Sequence, residues 1–155
     1  MAFLNSFNIA ASGMTAQRRR LDVVAENISN INSTRTEDDG GPYTRKMVVF
    51  QPIAQSDFKD TFNTLQKNTR RTIGRDTDLS QGVMVTEIIE DDTDYKTVYD
   101  PTHPDADEAG YVLYPNVEIL KETTDAMAAS RAYEANVTAF NAIKAMAAKG
   151  MEIGR

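Results

Sequence analysis

Apolar residues recur along the start of the chain at helical spacing. Phe3, Phe7, Ala10, Met14, Gln17, Leu21, Val24, Ile28 and Ile31 follow at alternating steps of four and three, with Gln17 the one polar interruption. A heptad stripe held this long predicts a helix of about 30 residues, about 45 Å in length, carrying one narrow apolar seam. Gly13 weakens its middle by about 1 kcal/mol relative to alanine. The first proline is Pro42, and the side chains of Asn32-Ser33-Thr34 compete for backbone groups, so the helix is expected to end there with Asn30 or Asn32 as a cap.

The last third behaves alike. After Pro115 and Asn116 there is no further proline and no glycine until Gly150. Asn116 is the expected N-cap, and Glu118, Glu122 and Asp125 suit the positive end of a helix dipole. Met127, Ser130, Tyr133, Val137, Phe140, Ile143, Ala147 and Met151 then recur at a mean step close to the coiled-coil value. Alanine dominates the remaining positions, which favours helix and close helix approach.

The middle changes period. Tyr43–Phe50, Gly82–Glu90, Tyr95–Tyr99 and Tyr111–Tyr114 are rich in strand formers. Asp91-Asp92 is expected to turn the second of these into the third as a hairpin. Within a polar stretch at residues 54–80, Phe58, Phe62 and Leu65 are spaced for a short helix. The fold expected is therefore α+β: long terminal helices pairing as a coiled-coil-like bundle, residues 1–35 and 117–155, and a small β-rich middle, residues 36–116, with an insertion at 54–80.

Charge sharpens this division. Residues 1–35 carry four basic and two acidic side chains, residues 36–116 eight and sixteen, and residues 117–155 five and five. The acidic middle argues against nucleic acid as a partner, since phosphate contacts need a basic surface. No apolar run is long enough to span a bilayer, so membrane insertion is not expected. The opening Met1-Ala2-Phe3-Leu4-Asn5 lacks the basic region of a cleaved signal peptide, and none is expected.

Candidate chemistry is sparse. His103, the single histidine, sits among Asp100, Asp105, Asp107 and Glu108, and Asp105, Asp107 and Gly110 fall where a calcium loop starts. Asn116 stands where that loop needs a bidentate glutamate, so the segment reads as an acidic turn, and no metal or cofactor is expected. Without cysteine, a glycine-flanked serine or a phosphate loop, no catalysis is expected either. Arg18-Arg19-Arg20 reads as a solvated helix face, and Glu87, Glu90, Asp91, Asp92 and Asp94 as solubilising residues of the hairpin loop.

Two long segments carry a resemblance. Ala11-Ser12-Gly13-Met14, Ala16-Gln17 and Leu21-Asp22-Val23-Val24-Ala25-Glu26-Asn27-Ile28-Ser29-Asn30-Ile31-Asn32-Ser33-Thr34 resemble the N-terminal signature of bacterial flagellar rod and hook proteins. Glu26 stands where that signature usually has asparagine, and Ser33 where threonine is common. Val98-Tyr99-Asp100-Pro101, His103–Asp107, Gly110-Tyr111-Val112, Tyr114–Val117 and Ser130-Arg131-Ala132-Tyr133-Glu134-Ala135-Asn136 resemble the type C proximal-rod subfamily, as does the run from Gly82 to Asp91.

The resemblance implies a structural subunit of the basal-body rod. It would be exported without a cleaved signal through the flagellar export apparatus and assembled with copies of itself, other rod subunits, and ring and rod-adaptor proteins. The competing class is a helical adaptor or chaperone that stays outside any filament. On the first helix Phe3, Phe7, Met14, Leu21, Val24, Ile28 and Ile31 are the expected apolar contacts, with Asn27, Asn30 and Asn32 fixing register. On the last, Met127, Tyr133, Val137, Phe140 and Ile143 are the expected contacts, with Arg131, Glu134 and Asn136 beside them. A lone pair of such helices leaves apolar surface wet, so both are expected to be only partly ordered in the isolated chain.

Overall fold

In a computed structural model, residues 2–36, 40–53 and 82–153 are described. The expected short helix around Phe58, Phe62 and Leu65 lies outside these residues. Helix α1 spans Ala2–Ser29 and helix α2 spans Ile119–Ile153. Between them come strands β1 (Lys46–Pro52), β2 (Val83–Glu90), β3 (Lys96–Tyr99) and β4 (Tyr111–Tyr114). The fold is α+β, two long terminal helices with a small middle of two antiparallel ribbons.

The two helices pack antiparallel, from Asn27 and Glu122 at one end to Phe7 and Phe140 toward the other. Ala10, Gly13, Ala16, Val23, Val24 and Asn27 are buried on α1, and Glu122 and Ala129 on α2, four of the eight being alanine or glycine. Ala126, Ala132, Asn136, Phe140 and Ile143 continue the α2 side half-buried. The intramolecular seam is thus turned slightly from the heptad stripe, because small side chains let the helix axes approach and larger ones are displaced to the flanks. Phe7, Met14, Leu21 and Ile28 line that flank half-buried, and on α2 Met127 and Ser130 face outward.

Strand pairing differs from the expected hairpin. β2 pairs with β1, from Lys46 opposite Glu90 to Pro52 opposite Val83, and β3 pairs with β4, from Lys96 opposite Tyr114 to Tyr99 opposite Tyr111. Length decides this: four-residue β3 can cover only half of eight-residue β2, while seven-residue β1 covers nearly all of it. The Asp91–Asp94 link is also held away from a tight turn, since Asn116 Nδ2 donates to the Asp91 and Thr93 carbonyls (3.0 and 3.1 Å). A bulge between Val49 and Phe50 in the register leaves Thr86 as the extra residue of β2 and bends this ribbon. Asn116 is accordingly not the N-cap of α2, which starts three residues later; its Oδ1 accepts the Arg45 N–H at 2.8 Å.

The β1–β2 ribbon lies against α1. Ser12 Oγ donates to the Ile9 carbonyl (2.8 Å) and accepts the Val83 N–H (3.1 Å), pinning the start of β2 to the helix. Gly82 precedes that contact with φ 124°, and any side chain there would strike Ser12. Adjacent residues of α1 therefore dock different partners: Ser12 holds the ribbon and Gly13 meets α2.

Candidate functional site: the helix seam and its polar joint

Where α1 ends, β1 begins and α2 starts, a group of polar side chains is buried together. Asn27, 1% exposed, sits at its centre. Its Nδ2 donates to the Lys46 carbonyl (2.9 Å) and to Glu122 Oε2 (3.1 Å), while its Oδ1 accepts the Tyr43 hydroxyl (2.9 Å) and the Lys46 N–H (3.0 Å). One side chain on α1 is thereby tied to both β1 and α2, and its buried amide is well satisfied.

Arg45 is the second hub. Its Nε donates to Glu122 Oε1 at 2.7 Å, its Nη1 to Asp91 Oδ2 at 3.1 Å, and its Nη2 stands 3.6 Å from Asp125 Oδ2. Asp125 also accepts from Arg20 Nη2 at 2.9 Å, which joins the two helices a further turn along. Burial works against the Arg45 charge, but the hydrogen bond and charge of Glu122, then those of Asp91, outweigh it and raise the Arg45 pKa. The hydroxyl and backbone N–H of Thr93, with Arg45, hold Asp91 below the usual carboxylate range against the pull of desolvation. Burial first, then the negative charges of Glu26, Glu122 and Glu90, push the Tyr43 phenol up to about 12.

Most of this joint carries no signature in the sequence. By sequence Glu122 suits the helix dipole, Asp91 a solvated loop, and Arg20 a solvated face with Arg18 and Arg19; in the structure Arg18 and Arg19 are exposed and Arg20 pairs with Asp125. Tyr43 and Arg45 fall in the run expected as a strand, whereas β1 starts at Lys46. Their spacing was the available signal, because residues two apart in extended chain share a face.

The proposed contact residues fall into three groups. Asn27 and Val24 are buried; Phe7, Met14, Leu21, Ile28, Asn30, Ile31, Asn136, Val137, Phe140 and Ile143 are half-buried; Asn32, Met127, Arg131, Tyr133 and Glu134 are exposed. Phe3 belongs to α1, but its side chain lies outside the described residues. Phe7 and Phe140 meet edge to face, ring centres 4.9 Å apart at 72°, and close the seam near its far end. The Asn136 amide lies over Gly13, where an added Cβ would stand 2.9 Å from it. Asn30 caps locally: its Nδ2 donates to the Glu26 carbonyl and its Oδ1 accepts the Ser33 hydroxyl.

The acidic turn between β3 and β4 is built from local bonds. His103 Nδ1 accepts the Asp105 N–H (3.1 Å), and the ring packs on Tyr114. Asp105 accepts the Thr34 hydroxyl and pairs with Arg35 at 2.8 Å. The Thr102 hydroxyl and N–H hold Asp100 below the usual carboxylate range. Among the described residues no helix is long and apolar enough to cross a membrane.

Residues 7–35 match the sequence family described as flagella basal body rod protein, and residues 108–153 match the family described as flagellar basal body rod FlgEFG protein C-terminal. The chain is 44% identical to the flagellar basal-body rod protein FlgC of Bacillus subtilis over all of both chains. It is 41% identical to the protein of that name from Borreliella burgdorferi, covering 94% of this chain and 93% of the relative, and 41% identical to that of Escherichia coli over all of both.

Proposed function

The chain belongs to the family of flagellar basal-body rod proteins, and we propose that its two terminal helices are the surfaces through which it polymerises in the proximal rod. It is a structural rod subunit of the basal body. In this reading the rod is a helical drive shaft that passes torque from motor to hook. The observation that carries it is the exposed apolar surface on α2: Ile119, Leu120, Met127, Met146 and Met151 are each more than half exposed in the single chain. Apolar residues strung along one helix to this degree mark an interface completed by other chains.

The division of labour follows the three segments. Helices α1 and α2 supply the axial layer, and the two β ribbons between them form a small region outside it. Phe3, Phe7, Met14, Leu21, Ile28 and Ile31 supply the α1 contacts, and Met127, Arg131, Tyr133, Glu134, Val137, Phe140 and Ile143 those of α2. Asn27, Asn30, Asn32 and Asn136 set register. Partners are copies of the chain, other rod subunits, ring and rod-adaptor proteins, and the export apparatus, which takes the chain without cleavage of a signal peptide. Marginal helices suit this route, because stability is gained when neighbours bury the seam.

Gene deletion followed by electron microscopy of isolated basal bodies tests the reading. Basal bodies that stop short of the rod, restored by the wild-type chain, are expected. Intact rods and hooks in the deletion strain would overturn it.

A further inference from the structure

Helices α1 and α2 are flush at one end and unequal at the other. Asn27, two residues before the end of α1, faces Glu122, three residues after the start of α2. At the far end Phe7 lies five residues after the start of α1, whereas its partner Phe140 lies thirteen before the end of α2. α2 therefore runs on for about eight residues, or ~12 Å at helical rise, as a toe without its partner helix.

The two ends of the pair carry complementary chemistry. Around the toe, Met146 and Met151 are 63% and 72% exposed, with Lys144 and Lys149 exposed beside them. Lys149 pairs with Glu152 at 2.7 Å, but both are largely in solvent, where such a pair contributes little and exchanges readily. At the flush end, Ile119 and Leu120 are 56% and 70% exposed on the first turn of α2. Glu118 adjoins them, and Asp92 and Asp94 are brought near by the Asn116 bonds to Asp91 and Thr93; all three acids are exposed and outnumber the exposed Lys121 that follows Leu120.

We propose that the lysine-rimmed methionine toe of one copy docks on the acid-rimmed Ile119–Leu120 end of a second copy of this chain. The proposal rests on the rod-subunit reading and names a partner for its α2 surface. Charge sets the direction: toe to toe would oppose lysines, and flush end to flush end would oppose carboxylates. The head-to-tail contact uses different patches on the two partners, so each added copy leaves one patch of each kind free and the chain of contacts propagates. Methionine suits the toe because its flexible side chain adapts to a neighbour's surface.

The natural chain has no cysteine, so introduced thiols report the contact directly. Full-length protein carrying Leu120→Cys and Met151→Cys is expected to give cross-linked multimers of itself in isolated basal bodies treated with a short thiol cross-linker. In purified protein at high concentration, mixing the Leu120→Cys and Met151→Cys single variants should give about tenfold more mixed dimer than like-with-like dimer, tenfold being 1.4 kcal/mol of preference. Lys144→Glu with Lys149→Glu should abolish that excess, and adding Asp92→Lys with Asp94→Lys should restore it. Equal mixed and like-with-like yields, or cross-links in basal bodies only to a different subunit, would overturn the head-to-tail contact while leaving the rod-subunit reading intact. Absence of the wild-type chain from basal bodies would instead remove that reading.

Discussion

Arg45 donates its Nε to Glu122 at 2.7 Å in a position where the Glu122 side chain has no exposure, so a strand approach and a helix start are held together by two buried opposite charges. Removing one partner of such a pair strands the other. Arg45→Met is expected to destabilise the chain by about 3–5 kcal/mol. The double variant Arg45→Met with Glu122→Leu should recover most of that loss, since neither charge remains to be solvated. Urea unfolding of both variants measures this, and a double variant as unstable as the single one would contradict the account.

Gly13→Ala normally strengthens a helix by about 1 kcal/mol. Here the new Cβ would press on the Asn136 amide at 2.9 Å, so that gain should be absent in the single variant. Combined with Asn136→Ala the clash is relieved, and Gly13→Ala should then stabilise. Thermal melts of the four proteins form the cycle, and a full gain in the wild-type background would rule out the contact.

Two groups of the joint give stability a defined pH dependence. The Tyr43 phenol is raised to about 12 from the ordinary 10.0, so the folded state holds this proton more tightly than the unfolded one. Its contribution is fully present below pH 10.0 and is lost as pH rises toward about 12. Of the six tyrosines, one should therefore ionise last in an ultraviolet titration, and Tyr43→Phe should remove that step. Asp91 works in the opposite sense. Its pKa is lowered below 3.8, so its contribution is present above that value and lost as pH falls through the depressed one. Thr93→Val should flatten the acid limb of stability measured against pH.

Helix content should depend on concentration. The seam of a single chain leaves Met14, Leu21, Ile28 and Phe140 half-buried, and isolated helices of this kind are marginal. Circular dichroism of dilute protein should show less helix than concentrated protein, with a broad melt. Full helicity and a sharp, concentration-independent transition would contradict this.

The helices are legible in the sequence because periodicity is local: the stripe fades by Asn32, and α1 ends at Ser29. Strand positions were legible for the same reason, whereas pairing was not. Whether β2 turns back on β1 or forward onto β3 depends on strand lengths and on Asn116, a residue more than twenty positions away that holds the intervening link. The joint was the least legible. Tyr43, Arg45, Asp91 and Glu122 are each unremarkable in their own segments and acquire a role only when three elements converge. The seam lay between these cases: its existence followed from the stripe, but its exact face was decided by Ala10, Gly13, Ala16 and Ala129, whose small volume matters only against a neighbouring helix.

The hydrogen bond from Asn27 to Glu122 spans 95 residues of chain. Contacts of such long sequence separation close late and slowly, because the loop entropy must be overcome before any bond rewards it. A chain appearing from its first residue onward presents α1 and β1 long before Glu122 exists to receive Arg45. Any product cut short ahead of Glu122 keeps a cationic side chain without its principal counter-ion and an asparagine without its α2 partner. The joint thus acts as a test of completeness, in which only a chain made to its last helix can close.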